Sequence, residues 1–191
     1  MKILFINACV REQSRTKRLA DCLLSKLQGE IEEARLPETA FPVFDEEFLQ
    51  KREQLITAGD FEDDLFKLAH QFAGADLIVI AAPYWDLSFP AALKQYFEQI
   101  NVVGITFMYT PEGFPKGLCK AKKMYYITTA GGMYVPEEFG FGYVKALAQN
   151  FYGIEDVEEV RAVGLDIDGA DAEEIMQECI CSLCMDESVI I

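Results

Sequence analysis

Five short strand-like runs that alternate with helical stretches constrain this chain more than any other feature of its 191 residues. Residues 2–6, 31–35, 77–81, 123–129 and a run within 154–164 that ends near Val163 read as strands. Residues 16–27 carry Leu19, Leu23 and Leu27 at helical spacing, and Ala20 and Leu24 widen that face. Residues 61–72 carry Phe61, Leu65, Leu68 and Phe72 on one face, with Asp60 expected as the cap. Ser88 is expected to cap a third helix, whose buried face is Phe89, Leu93, Phe97 and Ile100, with Pro90 in its first turn. Helices over 138–151 and 170–185 complete the pattern. Pro37, Pro42 and Gly59 break up an acidic connection, and 102–116 reads as an irregular excursion. Alternation of this kind implies an α/β fold: a doubly wound five-stranded parallel sheet in three α/β/α layers. The length suits a single domain over 1–191.

Charge and cysteine usage narrow the partners. The net charge of −15 argues against nucleic acid and anionic membranes, which both need basic patches. Residues 30–64 hold twelve acids and three bases, and 155–187 hold twelve acids and one base. These two segments account for −20, which leaves +5 on the rest of the chain, a balance that suits a phosphate. No apolar run approaches the ~20 residues of a membrane span. The apolar opening 1–6 is too short for a signal peptide, so a cytoplasmic location with reduced thiols is expected. Among six cysteines, Cys179, Cys181 and Cys184 form C-x-C-x-x-C. A closed metal site wants about four ligands. The one histidine, His70, falls in a different helix, so this run reads as a thiol-bearing helix and no metal is expected.

Three loops follow strands and so share the carboxyl edge of the sheet, where open α/β folds bind ligands. The first, 7–16 (NACVREQSRT), has neither a G-x-G-x-x-G nor a Walker pattern. It offers the hydroxyls of Ser14 and Thr16, the guanidiniums of Arg11 and Arg15, and the amides of a helix start, which suit a phosphate. The same residues also suit a plain helix cap. The second, 81–90 (AAPYWDLSFP), holds the only Trp, and its Tyr84 and Trp85 suit a flat ligand such as a flavin, or else the core or a dimer interface. The third, 128–134 (TTAGGMY), has adjacent glycines that allow close backbone approach to a ligand or make an ordinary turn.

Taken together, NACVREQSRTKRLAD, APYWDLSFPAALKQYFEQINVVGITFMYT and KKMYYITTAGGMY resemble the flavodoxin-like FMN-dependent NAD(P)H oxidoreductases, in particular the NADH azoreductase and quinone reductase family. The resemblance covers about residues 1–165, and its most specific block is Gly104-Ile105-Thr106-Phe107-Met108-Tyr109-Thr110 with the L-K-x-Y-F before it. It implies ping-pong two-electron transfer from NADH or NADPH through FMN to quinones, azo compounds or similar flat acceptors. A flavodoxin-type electron carrier without turnover is the alternative, and a fold relative that binds no flavin is the third reading. By position, Ser14, Arg15 and Thr16 would hold the FMN phosphate; Pro83, Tyr84, Trp85, Asp86 and Leu87 would border the isoalloxazine; and Thr129, Gly131 and Gly132 would meet its other side or its pyrimidine edge. Tyr109 would lie near the substrate, reaching from the partner subunit of a homodimer. No side chain is implied as nucleophile, acid or base. Cys9 stands where the family often has a phosphate-binding Ser, and a thiol is the weaker donor. Asp86 replaces a common Asn, and Ala130 a common Arg.

Overall fold

The computed structural model describes residues 1–185. In chain order it contains β1 (Lys2–Asn7), α1 (Arg15–Leu24), β2 (Glu30–Arg35), α2 (Glu46–Ala58), α3 (Lys67–Ala73), β3 (Leu77–Ala81), α4 (Ala91–Ile100), β4 (Phe107–Tyr109), β5 (Pro115–Gly117), β6 (Lys123–Thr129), α5 (Phe141–Leu147), β7 (Asp156–Ala162) and α6 (Ala172–Met185). The main sheet has the order β2-β1-β3-β6-β7 with every pairing parallel, which is the flavodoxin-like doubly wound topology.

The apolar runs read as strands because both faces of the sheet are covered. On one face Leu4, Ile6, Ile78, Ile80 and Tyr126 pack beneath α3, α4 and α5 through Phe72, Phe97 and Val144. On the other, Ile3, Phe5, Val79 and Ile127 pack beneath α1 and α6 through Leu19, Leu23, Met176 and Leu183. The period of two along each strand feeds the two cores alternately.

Four local expectations are corrected. The acidic connection contains α2, capped by Asp45, whose carboxylate accepts from the Phe48 N–H at 2.9 Å, and ended by Gly59 in a left-handed conformation. No α2 residue is fully buried, which is why the segment lacks a strong apolar repeat. Arg52 ties it down by donating to the Glu98 and Asn101 carbonyls at the end of α4. The helix expected from residue 61 begins later, through a 3-10 turn capped by Asp63 rather than Asp60. Ser88 does not cap α4; Pro90 occupies that position without a side-chain bond. The 102–116 excursion carries the antiparallel hairpin β4–β5, which continues to Gly117. No helix among the described residues is long and apolar enough to cross a membrane.

Candidate functional site

The carboxyl ends of β1, β3, β6 and β7 finish side by side, and the sheet's hydrogen bonding runs past them into the loops. Ala8 N–H donates to the Ala81 carbonyl (2.9 Å), Ala82 to Ile127 (2.9 Å), Tyr84 to Thr129 (3.0 Å) and Ala130 to Ala162 (3.0 Å). These bonds fix where each loop departs. Asn7, fully buried, sets the first turn: its side-chain oxygen accepts from the Cys9 N–H at 2.9 Å, and its amide donates to Glu33 at 2.7 Å.

The loops enclose a cleft of about 270 Å³ lined by Ser14, Arg15, Thr16, Pro83, Tyr84, Trp85, Thr129 and Gly131, with Val10, Arg11, Gln13, Ala130 and Asp166. Eight of the sequence-derived candidates therefore meet at one place. Cys9, Asp86, Leu87, Gly132 and Tyr109 do not line it.

The first wall is the start of α1. Ser14 is its N-cap, with its hydroxyl accepting from Lys17 N–H at 3.2 Å. The first amides of a helix have no intrahelical acceptor, so those of Arg15 and Thr16 stay available to an anion, favoured by the helix dipole. The Thr16 and Thr129 hydroxyls share a buried 2.7 Å bond that locks the first loop to the third. The Arg15 guanidinium turns to the loop after β7, where it donates to the Leu165 carbonyl at 3.0 Å and to Asp166 at 2.7 Å. It braces the wall from behind. Arg11 stands at the junction with a larger groove of about 660 Å³ that shares Ser14 and Arg15 with the cleft. In that groove Lys17 is paired with Asp21, Arg18 with Glu173 and Arg35 with Glu38, whereas Arg11 has no ion-pair partner among the described residues. Cys9 lies beneath, almost fully buried, with its thiol 3.7 Å from the Ala81 carbonyl. Burial pushes this thiol up from its ordinary 9.0 against the opposing pull of the Ser14 hydroxyl and Lys17, so it is neutral near pH 7.

The second wall is aromatic. Trp85 and Ser88 exchange two backbone bonds (3.0 and 2.8 Å) across a two-residue turn in which Asp86 (φ 50) and Leu87 (φ 68) are both left-handed. That is the hairpin turn favouring Asn-Gly, and a leucine there is strained. The Ser88 hydroxyl bonds the Phe139 carbonyl at 2.8 Å instead of a helix start. The turn leaves Trp85 39% exposed on the cleft and holds Leu87 outward. The Tyr84 hydroxyl is shielded from water without a partner among the described residues. Such atoms want a polar ligand or water.

The third wall is Gly131. A Cβ there would lie 2.3 Å from the Asp166 carboxylate, so a side chain would push apart the Asp166–Arg15 brace. Around Gly132 a Cβ would meet nothing within 4 Å. Asp166 and Leu165 are members that sequence reasoning missed. The signal is present in the sequence, since their loop also follows a parallel strand and so reaches the same edge. Tyr109 stands on β4, 51% exposed, its ring edge-on to Phe107 at 5.5 Å.

The geometry offers an anion seat of helix amides, a flat aromatic wall, and a glycine loop that permits close approach. These features fit a phosphorylated, planar cofactor such as FMN, and the unpartnered Tyr84 hydroxyl and free α1 amides supply polar contacts for it. No group of three metal-ligating side chains occurs among the described residues.

Comparison with known proteins agrees with that fit. A family model described as a flavodoxin-like fold matches residues 1–183. An FMN-dependent NADH:quinone oxidoreductase of Lachnoclostridium phytofermentans is 38% identical over 187 residues, 93% of each chain. One from Clostridium perfringens is 36% identical over 94% of each. Among solved structures, an azoreductase from Bacillus anthracis covers 100% of this chain and 99% of its own, at 26% identity and a TM-score of 0.85. An FMN-dependent NADH-azoreductase of Bacillus anthracis in complex with FMN covers 95% of each at 26% identity, with a TM-score of 0.78.

Proposed function

The chain belongs to the flavodoxin-like fold family and to its FMN-dependent NADH:quinone oxidoreductases, and from that membership we propose how its own residues serve transfer of two electrons from NADH through FMN to a quinone or azo acceptor. The observation that carries the reading is the meeting of the α1 amides, the Tyr84–Trp85 wall and the Gly131 loop in one cleft. FMN, when bound, supplies the chemistry of accepting a hydride and passing it on.

The protein binds, orients and excludes water. The Arg15 and Thr16 amides, the Ser14 cap and the Arg11 guanidinium hold the phosphate. Arg15 and Asp166 brace that seat from behind. The neutral Cys9 thiol sits under the loop as a weak donor, where a hydroxyl would donate better. Pro83, Tyr84 and Trp85 form the ring wall. The strained Asp86-Leu87 turn sets the wall's angle and places a carboxylate near it. Thr129 and Gly131 form the opposite side, with Gly132 next to them outside the cleft lining. Donor and acceptor use one cleft in turn, so the kinetics are ping-pong.

The protomers pair as a homodimer in the cytoplasm. The exposed Trp85, Leu87, Tyr109, Tyr134 and Phe139 then become shared cover for the site, with Tyr109 reaching the partner's substrate. The likeness to named oxidoreductases favours turnover over a carrier that only relays electrons.

The test is direct. Purified protein loaded with FMN should show the visible absorbance of oxidised flavin and should oxidise NADH when a quinone is added. Protein that keeps FMN but leaves NADH untouched with every quinone and azo dye tried overturns the enzyme reading. Protein that takes up no FMN overturns the site.

A further inference from the structure

The C-x-C-x-x-C run of α6 takes no part in the cleft, but the tertiary structure gives it a partner thiol from elsewhere in the chain. Helices α1 and α6 lie side by side on one face of the sheet and share the packing of Leu19, Leu23, Met176 and Leu183. Arg18 grips both oxygens of Glu173 at 2.6 and 2.5 Å. Two turns on, the Lys26 ammonium bonds the Leu183 carbonyl. Cys22 stands four residues after Arg18, hence on the same stripe of α1 and toward α6, and Lys26 lies just past the end of that helix. Cys184 follows Leu183 directly, so the Lys26–Leu183 bond brings it to the end of α1 that carries Cys22, close enough for its thiol to act on the Cys22 thiol. Cys179, by contrast, turns to the Arg161 carbonyl at 3.7 Å. All six cysteines are free, with Cys22 half-buried and Cys184 exposed.

We propose that Cys22 and Cys184 are a modification site for hydroperoxides, a dithiol that oxidation converts to a disulfide stapling α6 to α1. The exposed Cys184 meets the oxidant. Its thiolate attacks hydrogen peroxide, the O–O bond breaks, one oxygen stays as the sulfenic acid, and the other leaves as water after gaining a proton. The Cys22 sulfur then attacks the sulfenic sulfur. The S–S bond forms, the S–O bond breaks, and the released hydroxide takes the Cys22 proton to leave as a second water. Two thiols lose two electrons and one peroxide gains them. Burial, and then the neighbouring Cys184 thiol, push the Cys22 thiol up from its ordinary value, which suits a resolving role better than first attack.

The bond would close most of the chain into one loop, so the oxidised protein should melt higher, by about 5–15 °C. The experiment treats the full FMN-loaded chain with excess hydrogen peroxide, alkylates remaining thiols and maps disulfides by mass spectrometry, in the parent protein and in Cys22→Ser, Cys181→Ser and Cys184→Ser. The expected result is loss of two of the six titratable thiols and one intrachain Cys22–Cys184 link. The link should survive in Cys181→Ser, vanish in the other two and reverse with dithiothreitol. Cys184 is exposed and outside the cleft, so its Ser variant should keep the parent melting temperature and NADH oxidation before treatment. Six thiols still titratable, a disulfide confined to α6, a link that persists in Cys184→Ser, or a link between chains overturns the proposal.

Discussion

Single side chains decide how tightly this cleft holds its ligand. The Thr16–Thr129 bond is the clearest case, since both hydroxyls are buried and each is the other's partner. Thr129→Val leaves the Thr16 hydroxyl unpaired, at a cost of about 1–3 kcal/mol. The apo-protein should unfold at lower urea and FMN titrations should weaken; an unchanged urea midpoint would mean the bond adds nothing. Asp86, on the turn beside the cleft, is proposed to act through charge. A carboxylate near the ring disfavours the negatively charged reduced flavin, so Asp86→Asn should raise the midpoint potential in spectroelectrochemistry. An unchanged potential removes Asp86 from the ring's surroundings. Residue types such as Trp85 and Gly131 were readable in the sequence because a flat wall and close backbone approach demand them. Ser88 was misread because Asp86 and Leu87 adopt left-handed backbone where no glycine announces it.

At the scale of elements, two contacts hold the parts in place. The hairpin β4–β5 lies so close to the π-helical turn 148–152 that a Cβ on Gly117 would meet the Gly153 nitrogen at 2.2 Å. Gly117→Ala should therefore push the hairpin away, costing about 2 kcal/mol or more, and should raise the KM for quinone if Tyr109 serves the site. Wild-type stability in that variant would show the backbone yields freely. At the opposite edge of the sheet, Asp76 joins β1 to β3 by accepting from the Lys2 N–H at 2.7 Å and pairing with Lys120 at 2.5 Å. Lys120, then Lys2, hold its carboxyl below the ordinary 3.8. A carboxylate with a lowered folded value contributes stability above its unfolded value and loses it as pH falls through the folded one. Asp76→Asn should thus weaken the protein at neutral pH and flatten its stability loss below about pH 4; equal acid slopes in the two proteins would sink this assignment. Helix α2 escaped the sequence because its apolar face is only half covered, although Asp45 and Gly59 marked both of its ends.

For the whole molecule, residues 30–64 and 155–187 carry −20 of the charge and leave +5 on the rest of the chain, which includes every cleft-lining residue but Asp166, a balance that suits an anionic cofactor. Trp85, Leu87, Tyr109, Tyr134 and Phe139 are exposed, and the proposed homodimer would cover them. Sedimentation should accordingly give twice the chain mass at micromolar concentration, and a monomer active with FMN would dismiss the shared site. The sequence alone determined the layered α/β sheet, since strand-like runs, wholly apolar at 77–81 and nearly so at 2–6, alternate with helical repeats and can be buried only with helices on both faces. It also determined which loops carry ligand chemistry, because every parallel strand delivers its following loop to one edge. Only the tertiary structure decided which side chains reach that edge together. Arg15 turned to Asp166, Cys9 sank beneath the loop, and α6 brought Cys184 back to the end of α1 that carries Cys22, 162 positions away in the chain. Such choices are made by packing and hydrogen-bond competition between segments distant in sequence, and no local pattern of residues encodes them.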